Sequence, residues 1–509
     1  MIILDIVLIR YPCTLTSIRA PPDESVVLTA MSTAEIRVRP AGWESTPVEE
    51  QFVISDMDHT MPKIYVQIVE VFKLPPEAGK PRVVDNMVKG LEYTLSQFPI
   101  LAGNLKMDAE NGRLWVTKKR ESSVGLAVRD VAELLPSYEE LERSDFPAAT
   151  FKGHLLLPKA VTEKQLFSPL GDNQEDDTVI STFQINFIKG GLILGVAIHH
   201  NCSDGPGCDG FLTMWAKNSA AVSKGTAFQD LPEGALDRSR LSARKPDAAR
   251  WEQLDQNFPI LKDSGGPAPP PPADFKMPDL AIRMWHFPKS KTEELKSKAM
   301  SQTGWISTYD AIMSILWKTI TRSKLDLLKP DLEKEVIFAH GVNTRKIFDP
   351  PLPETFMGNA VALARTEPLK ISDLLMDNNL PLLAQKVRTS IKAITPQYVA
   401  ELPEWIAGLE DRRWLTINMS SFLGMDLAAT SWQGMTVYQQ HDFGFGIARA
   451  IRFPDPQFEG YVFVYPSRAG VKEGAVDEGI EVCVCLEKGC HDRLARDGEL
   501  LAYAQPRGS

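Results

Sequence analysis

The side chains best suited to chemistry lie in one stretch, Ala197-Ile198-His199-His200-Asn201-Cys202-Ser203-Asp204-Gly205. An imidazole titrates near neutral pH and can take a proton from a hydroxyl or amine, so either histidine is a candidate base. Successive strand residues point to opposite faces, so His199 and His200 cannot both enter one cavity. One of them is structural. Asp204 stands where it could orient His200, and Cys202 is a candidate nucleophile. Nothing near Cys202 is an obvious second base, however, and a buried small hydrophobe is the commoner role for cysteine. A metal on His200 and Asp204 would have too few ligands, so no metal site is expected.

These residues need a scaffold. Val179 to Phe187 largely alternates apolar and polar residues, which predicts a half-buried strand. Lys189-Gly190-Gly191 supplies a turn, and Leu192 to Ile198 reads as a buried partner strand. The imidazoles thus fall where a core strand ends and a Ser-Asp-Gly-Pro-Gly loop begins, a place from which a rigid frame presents side chains to a cleft. Phe211, Met214, Trp215 and Val222 predict a helix over 210–222, opening beside Asp204-Gly205. Its N-terminus favours negative charge, either a phosphate or Asp204 and Asp209 themselves. The second reading is preferred, because Gly205-Pro206-Gly207 lacks the Lys-Ser/Thr of a phosphate loop.

Elsewhere, Lys63 to Phe72 reads as a strand, Val83 to Gln97 as a helix ended by Phe98-Pro99, and Asn111-Gly112 as a hairpin turn. Ala132 to Leu141 predicts a short helix, and Pro169 to Asp177 an acidic surface loop. Residues 225–280 turn charged, then rich in glycine and proline, and read as a crossover linker unable to form a packed core. Beyond it, Ala281 to Phe287, Val336 to Val342, Trp414 to Ser421, Thr436 to Tyr438, Tyr461 to Tyr465 and Glu481 to Cys485 read as strands. A helix follows the capping-box-like Ser307-Thr308-Tyr309-Asp310, a long one falls within 383–399, and Glu487 to Ala502 closes the chain.

The chain has 509 residues, more than one core usually supports, so two domains are expected. A net charge of −10 argues against a nucleic-acid partner. Six cysteines in so long a chain make no disulfide framework, and reduced thiols in the cytoplasm are the plain reading. Met1 to Ile9 is apolar but interrupted by Asp5 and too short to span a bilayer, and no other stretch reaches spanning length.

His200, Asp204 and Gly205 form His-x-x-x-Asp-Gly, and Asp442-Phe443-Gly444-Phe445-Gly446 follows far downstream. The pair resembles the two signatures of the BAHD acyltransferases, His-x-x-x-Asp and Asp-Phe-Gly-Trp-Gly. Ile54-Ser55-Asp56-Met57-Asp58, Leu95 to Gly103, Asn343-Thr344-Arg345 with Pro350 to Pro353 and Gly358-Asn359, and Thr430-Ser431-Trp432 agree in order and spacing. Tyr503 to Gly508 resembles the ending of fungal members. The resemblance spans roughly residues 35 to 507. The kinase reading of Asp442-Phe443-Gly444 fails, since no glycine-rich loop, strand lysine or His-Arg-Asp loop accompanies it.

The resemblance implies an α/β fold of the α+β kind, with mixed sheets and flanking helices. Two chloramphenicol-acetyltransferase-like domains, 31–224 and 281–509, would be joined by the 225–280 crossover, with 1–30 an extension or misassigned start. It implies His200 as general base in direct acyl transfer from acyl-CoA, acetyl-CoA first, to a hydroxyl or amine of a small secondary metabolite. Acyl-CoA would be a co-substrate, with no tightly bound cofactor and no membrane partner, in a monomer. Asp204 would pair with Arg345 and be structural, as would Gly205, Asp442, Gly444 and Gly446. Trp432 and Thr430 are the matching candidates to stabilise the oxyanion, with core packing the competing role for Trp432. Phe445 stands where the family prefers tryptophan. A second expectation is a cyclase-like enzyme or binding scaffold of the same fold that transfers no acyl group.

Overall fold

A computed structural model describes residues 33–162, 178–266, 275–301, 304–454, 458–472 and 474–508. The apolar 1–9 stretch, the acidic 169–177 loop and the proline run 267–272 lie outside these residues. At the centre of a six-stranded sheet Ser181–Ile188 pairs antiparallel with Gly191–His199, through the predicted glycine turn. The sheet runs Thr33–Val38, Val124–Asp130, Ser181–Ile188, Gly191–His199, Tyr65–Lys73 and Ala450–Arg452. Ser181–Ile188 is buried on both faces, not one. Its alternating polar residues are satisfied inside: Gln184 donates to Asn186 and the Leu155 carbonyl, and Asn186 to the carbonyls of Leu156 and Ile193. Alternation therefore marked internal hydrogen bonding, not a wet face.

The C-terminal half builds a seven-stranded mixed sheet, in the order Val361–Arg365, Phe338–Asn343, Leu427–Ser431, Tyr461–Val464, Ile480–Glu487, Leu280–Phe287 and Gln505–Arg507. Thr308–Leu328 packs against it, capped by the reciprocal Ser307–Asp310 bonds that the sequence predicts. Helix breaks fall at cap residues: Thr395-Pro396 separates Leu380–Lys392 from Pro396–Gly408, and Asp497 separates Lys488–Leu494 from Gly498–Leu501. The helix expected over 132–141 starts only at Tyr138, behind a Ser137–Glu140 capping box.

Residues 225–266 differ from the expectation of an unpacked linker. They include the helix Ala248–Asp255 and the strand Leu261–Asp263, which pairs with Leu415–Ile417. Leu241, Leu254, Phe258 and Ile260 are buried beside Trp405 and Ile406. Their apolar side chains are too sparse for a core of their own and complete that of the C-terminal half.

Two features lace the halves together. Ala450–Arg452, from the C-terminal half, pairs with Tyr65–Lys73 at the edge of the first sheet. Just before it, the buried His441 donates from Nδ1 to Glu70 at 2.7 Å, with its Nε2 3.3 Å from Asp209. Asp209 also accepts from the Thr436 N–H and hydroxyl. That tether bends the expected 436–438 strand into the helical turn Val437–Gln440. Burial alone would lower the His441 pKa, but Glu70 and Asp209 outweigh it and push it up to about 10.

A raised folded-state pKa stabilises most below the unfolded value, and the gain is lost as pH rises to the folded value. His441→Gln should therefore be less stable than the unmodified protein by most below pH 6.5, and the gap should close towards pH 10, as read by denaturant unfolding. A pH-independent gap would contradict a protonated His441.

Candidate active site

A mostly apolar cavity of about 350 Å3 is lined from both halves of the chain, by Tyr65 and His200 on one side and Thr430, Trp432, Tyr461 and Phe463 on the other. His200 follows the last residue of Gly191–His199, and its N–H is fixed by the Ile64 carbonyl at 2.8 Å. Its neighbour turns the other way. His199 is fully buried, meets Tyr65 edge-on, and is pushed down to about 3 by burial and by nearby His200 and Lys63. The alternation argument holds: one imidazole faces the cavity and the other faces the protein.

His200 Nδ1 is buried without a regular hydrogen-bond partner, which leaves the Nε2 edge towards the cavity. Burial lowers the His200 pKa. Its own carbonyl, Asp204, the Asn359 side chain and the Ser203 backbone act in the opposite direction and do not overcome it. The ring is therefore neutral at pH 7, with a lone pair to offer. The Cys202 thiol, in contrast, is buried and pushed up to about 12 by that burial, so almost no thiolate forms.

Asp204 does not orient the imidazole through a hydrogen bond. Its carboxylate takes a bidentate pair from Arg345, both contacts at 2.8 Å, and accepts from the Ala360 N–H at 3.1 Å. It also caps the helix Gly205–Lys224, accepting from the Gly207 N–H at 2.8 Å. The helix thus starts at Gly205, five residues before the predicted start at 210, and Asp204 fills its N-terminus. Gly205 is small for a reason: a Cβ there would sit 3.1 Å from Met435 and 3.3 Å from Trp432 Nε1. The indole N–H therefore lies against the end of the histidine loop, where the helix begins. Trp432 also packs on Phe453, Phe463 and Tyr465, so it has both a core face and a cavity face. Thr430 lines the same wall from the strand Leu427–Ser431.

The second motif is away from the cavity. Asp442 accepts from the N–H groups of Gly444 and Gly446, at 2.8 and 3.0 Å, closing a tight turn. Gly444 has φ +93°, and a Cβ on it would press on Ala220 and Ser223 near the far end of the Gly205–Lys224 helix. Phe443 and Phe445 stack on each other and meet Phe72 edge-on. Phe445 fills its place as an aromatic without offering an N–H.

Three residues of the site carried no assigned role in the sequence reading. Asp58 is fully buried and accepts from the Ser55 N–H, from the Asn359 N–H and side chain, and from Arg238 at 2.6 Å. Arg238 reaches on to the Cys202 carbonyl at 2.6 Å, and Asn359 to the His200 carbonyl at 2.7 Å. Asp58 and Asn359 fall in stretches that carry the resemblance, but their partners are 180 and 301 residues from Asp58, beyond the reach of local spacing. Arg238 lies where a linker was expected.

Acetyltransferase FGR3 of Gibberella zeae is 30% identical over 489 residues, covering 92% of this chain and 93% of that protein. Trichothecene 3-O-acetyltransferase TRI101 of Fusarium sporotrichioides is 24% identical over 463 residues, covering 87% and 94%. The crystal structure of the F. sporotrichioides TRI101 protein, complexed with coenzyme A and T-2, superposes with a TM-score of 0.73 at 20% identity, covering 90% of this chain and 99% of that one. The Transferase family model matches residues 36–501. With the sheets, the two motifs and these matches in agreement, the chain belongs to the Transferase family, the BAHD acyltransferases.

Proposed function

We propose that this enzyme moves an acyl group, acetyl foremost, from coenzyme A to a hydroxyl of a small, largely apolar secondary metabolite, with His200 as general base. The observation that carries this reading is a neutral imidazole opening on an apolar cavity shared by both halves, with an indole donor at the same loop. The acetyltransferase relatives support acetyl as donor group and a metabolite hydroxyl as acceptor.

The His200 Nε2 takes the proton as the acceptor oxygen attacks the thioester carbon. The carbonyl electrons move to oxygen, where the Trp432 indole N–H and the Thr430 hydroxyl are the candidate donors. Collapse expels the coenzyme A thiolate, and the imidazolium returns the proton to it. No acyl-enzyme is required, in keeping with the inert Cys202 thiol. Asp204, Gly205 and Arg345 hold the loop, while Asp442, Gly444 and Gly446 shape a turn against the helix that follows. The proposed setting is a cytoplasmic monomer, and no described helix is long and apolar enough to cross a membrane.

Mass spectrometry across acyl-CoA donors and hydroxylated acceptors should find free coenzyme A and acylated product in equal amounts. Stoichiometric binding of donor and acceptor with no release of coenzyme A would support the scaffold reading instead. His200→Ala should lower kcat by about 10²–10⁴-fold with little change in melting temperature. In the unmodified enzyme kcat/KM should fall with acid along a limb centred below pH 6.5, because burial depresses the imidazole pKa. A limb above 6.5 would contradict that assignment. Trp432→Phe keeps the ring and removes the N–H, and should lower kcat by about 10²-fold if the indole serves the oxyanion.

Asp204→Ala and Arg345→Ala should each destabilise by about 3–5 kcal/mol, since each leaves its partner's charge buried alone. The double variant should lose less than the sum. Additive losses in chemical denaturation would show that the two do not act as a pair.

A further inference from the structure

We propose that the acceptor is an aromatic metabolite, with Phe458 and Tyr461 as specificity-determining residues that hold its ring system. The inference rests on the reading of the cavity as the acceptor's site, and it names the class of molecule that fits there.

Beyond the histidine loop one wall of the cavity is built of rings. Trp432, beside Gly205, stacks on Phe453 with centroids 6.1 Å apart. Phe453 meets Phe463 at 5.0 Å and Phe458 at 5.8 Å, and Phe463 meets Tyr461 at 5.2 Å. All five line the cavity. The local cause is strand alternation. Tyr461 and Phe463 are two apart on Tyr461–Val464 and share a face, while Val462 and Val464 go to the core behind it. Ala428 stands beside Tyr461 in register, a side chain too small to cover the ring. Trp432, Phe453 and Phe463 are buried, whereas Phe458 and Tyr461 are only half-buried and keep surface to offer at the cavity.

The wall is also uncharged. Burial pushes the Tyr461 hydroxyl up to about 12, so it stays a neutral phenol. The neighbouring Glu459 is answered by Lys324 at 3.0 Å. Coenzyme A phosphates would find no cation on these rings, which suits the wall to the acceptor. Any apolar molecule gains from covering such a surface in proportion to its area. A flat π-system gains more, since each offset or edge-on ring contact is worth about two- to tenfold beyond area. Met61, Met277 and Met419 line the cavity as well, and a thioether sulfur favours contact with a ring edge. An aromatic skeleton therefore finds partners here that a saturated one does not.

The test compares 2-(naphthalen-2-yl)ethanol with 2-(decahydronaphthalen-2-yl)ethanol as acceptors from acetyl-CoA, followed by release of coenzyme A and formation of ester. Both are primary alcohols on the same carbon skeleton. The expected result is a kcat/KM about 10–10²-fold higher for the naphthyl alcohol. Area alone predicts the opposite order, because the saturated skeleton presents more hydrocarbon surface. In Phe458→Leu and Tyr461→Leu, which keep an apolar side chain, that ratio should fall by about threefold or more. A merely structural role would lower both substrates alike and leave the ratio where it was. Equal or reversed preference would overturn the proposal, as would an unchanged ratio in both variants. So would acetylation of neither alcohol by an enzyme that acetylates other hydroxylated compounds. If a variant does not fold, the preference of the unmodified enzyme decides. Release of coenzyme A with no acceptor of any kind would refute the proposed transfer itself, whereas equal transfer to both alcohols would refute the aromatic assignment alone.

Discussion

The buried pair of Asp204 and Arg345 is the interaction on which the site depends most. Both side chains are almost wholly removed from water, so neither charge is tolerable without the other. The carboxylate also starts a helix through the Gly207 N–H, and the guanidinium also takes the Phe356 carbonyl at 2.8 Å. One contact therefore joins the start of the Gly205–Lys224 helix to the loop before Val361–Arg365. The histidine at the other end of the loop inherits that rigidity.

Around this pair the structure repeats one solution, in which a buried charge from one half is answered by a group from the other. Asp58 is answered by Arg238 and Asn359, Glu70 by His441, and Asp56 by Arg412 at 3.0 Å. Such pairs add little net stability compared with apolar packing, but they are exacting in direction, because any misregister strands a charge. That suits a cavity built from two walls. The apolar side chains give it volume, and the polar joints fix how the walls face each other.

The strand pair and the division between the two imidazoles were legible because their signals are local, whereas the fold class and the choice of His200 as candidate base rested on the family resemblance. Alternation and a glycine turn placed the strand pair, and the opposite faces of adjacent strand residues separated His199 from His200. What could not be read depends on distance. The internal hydrogen bonds of Gln184 and Asn186 look, in sequence, like a wet strand face. Thr436 to Tyr438 has strand-like residues, yet Asp209 on a distant helix turns it into helix. Arg238 and the apolar residues after it sat in a charged stretch whose core belongs to another part of the chain. The Asp204–Arg345 contact came from the family resemblance; spacing alone suggested a dyad with His200 just as readily.

The strand Ala450–Arg452 has a consequence for how the protein is made. Among the described residues, Tyr65–Lys73 pairs on one side with Gly191–His199 and on the other only with this late segment. During synthesis at about 5–20 residues per second, that second side waits roughly tens of seconds for its partner. Throughout that interval the nascent chain presents a row of open N–H and C=O groups on a strand rich in valine and isoleucine, the kind of edge that recruits other chains. An open edge of that kind favours association with other chains until Ala450–Arg452 arrives. A gene split after the first half would leave it open for good.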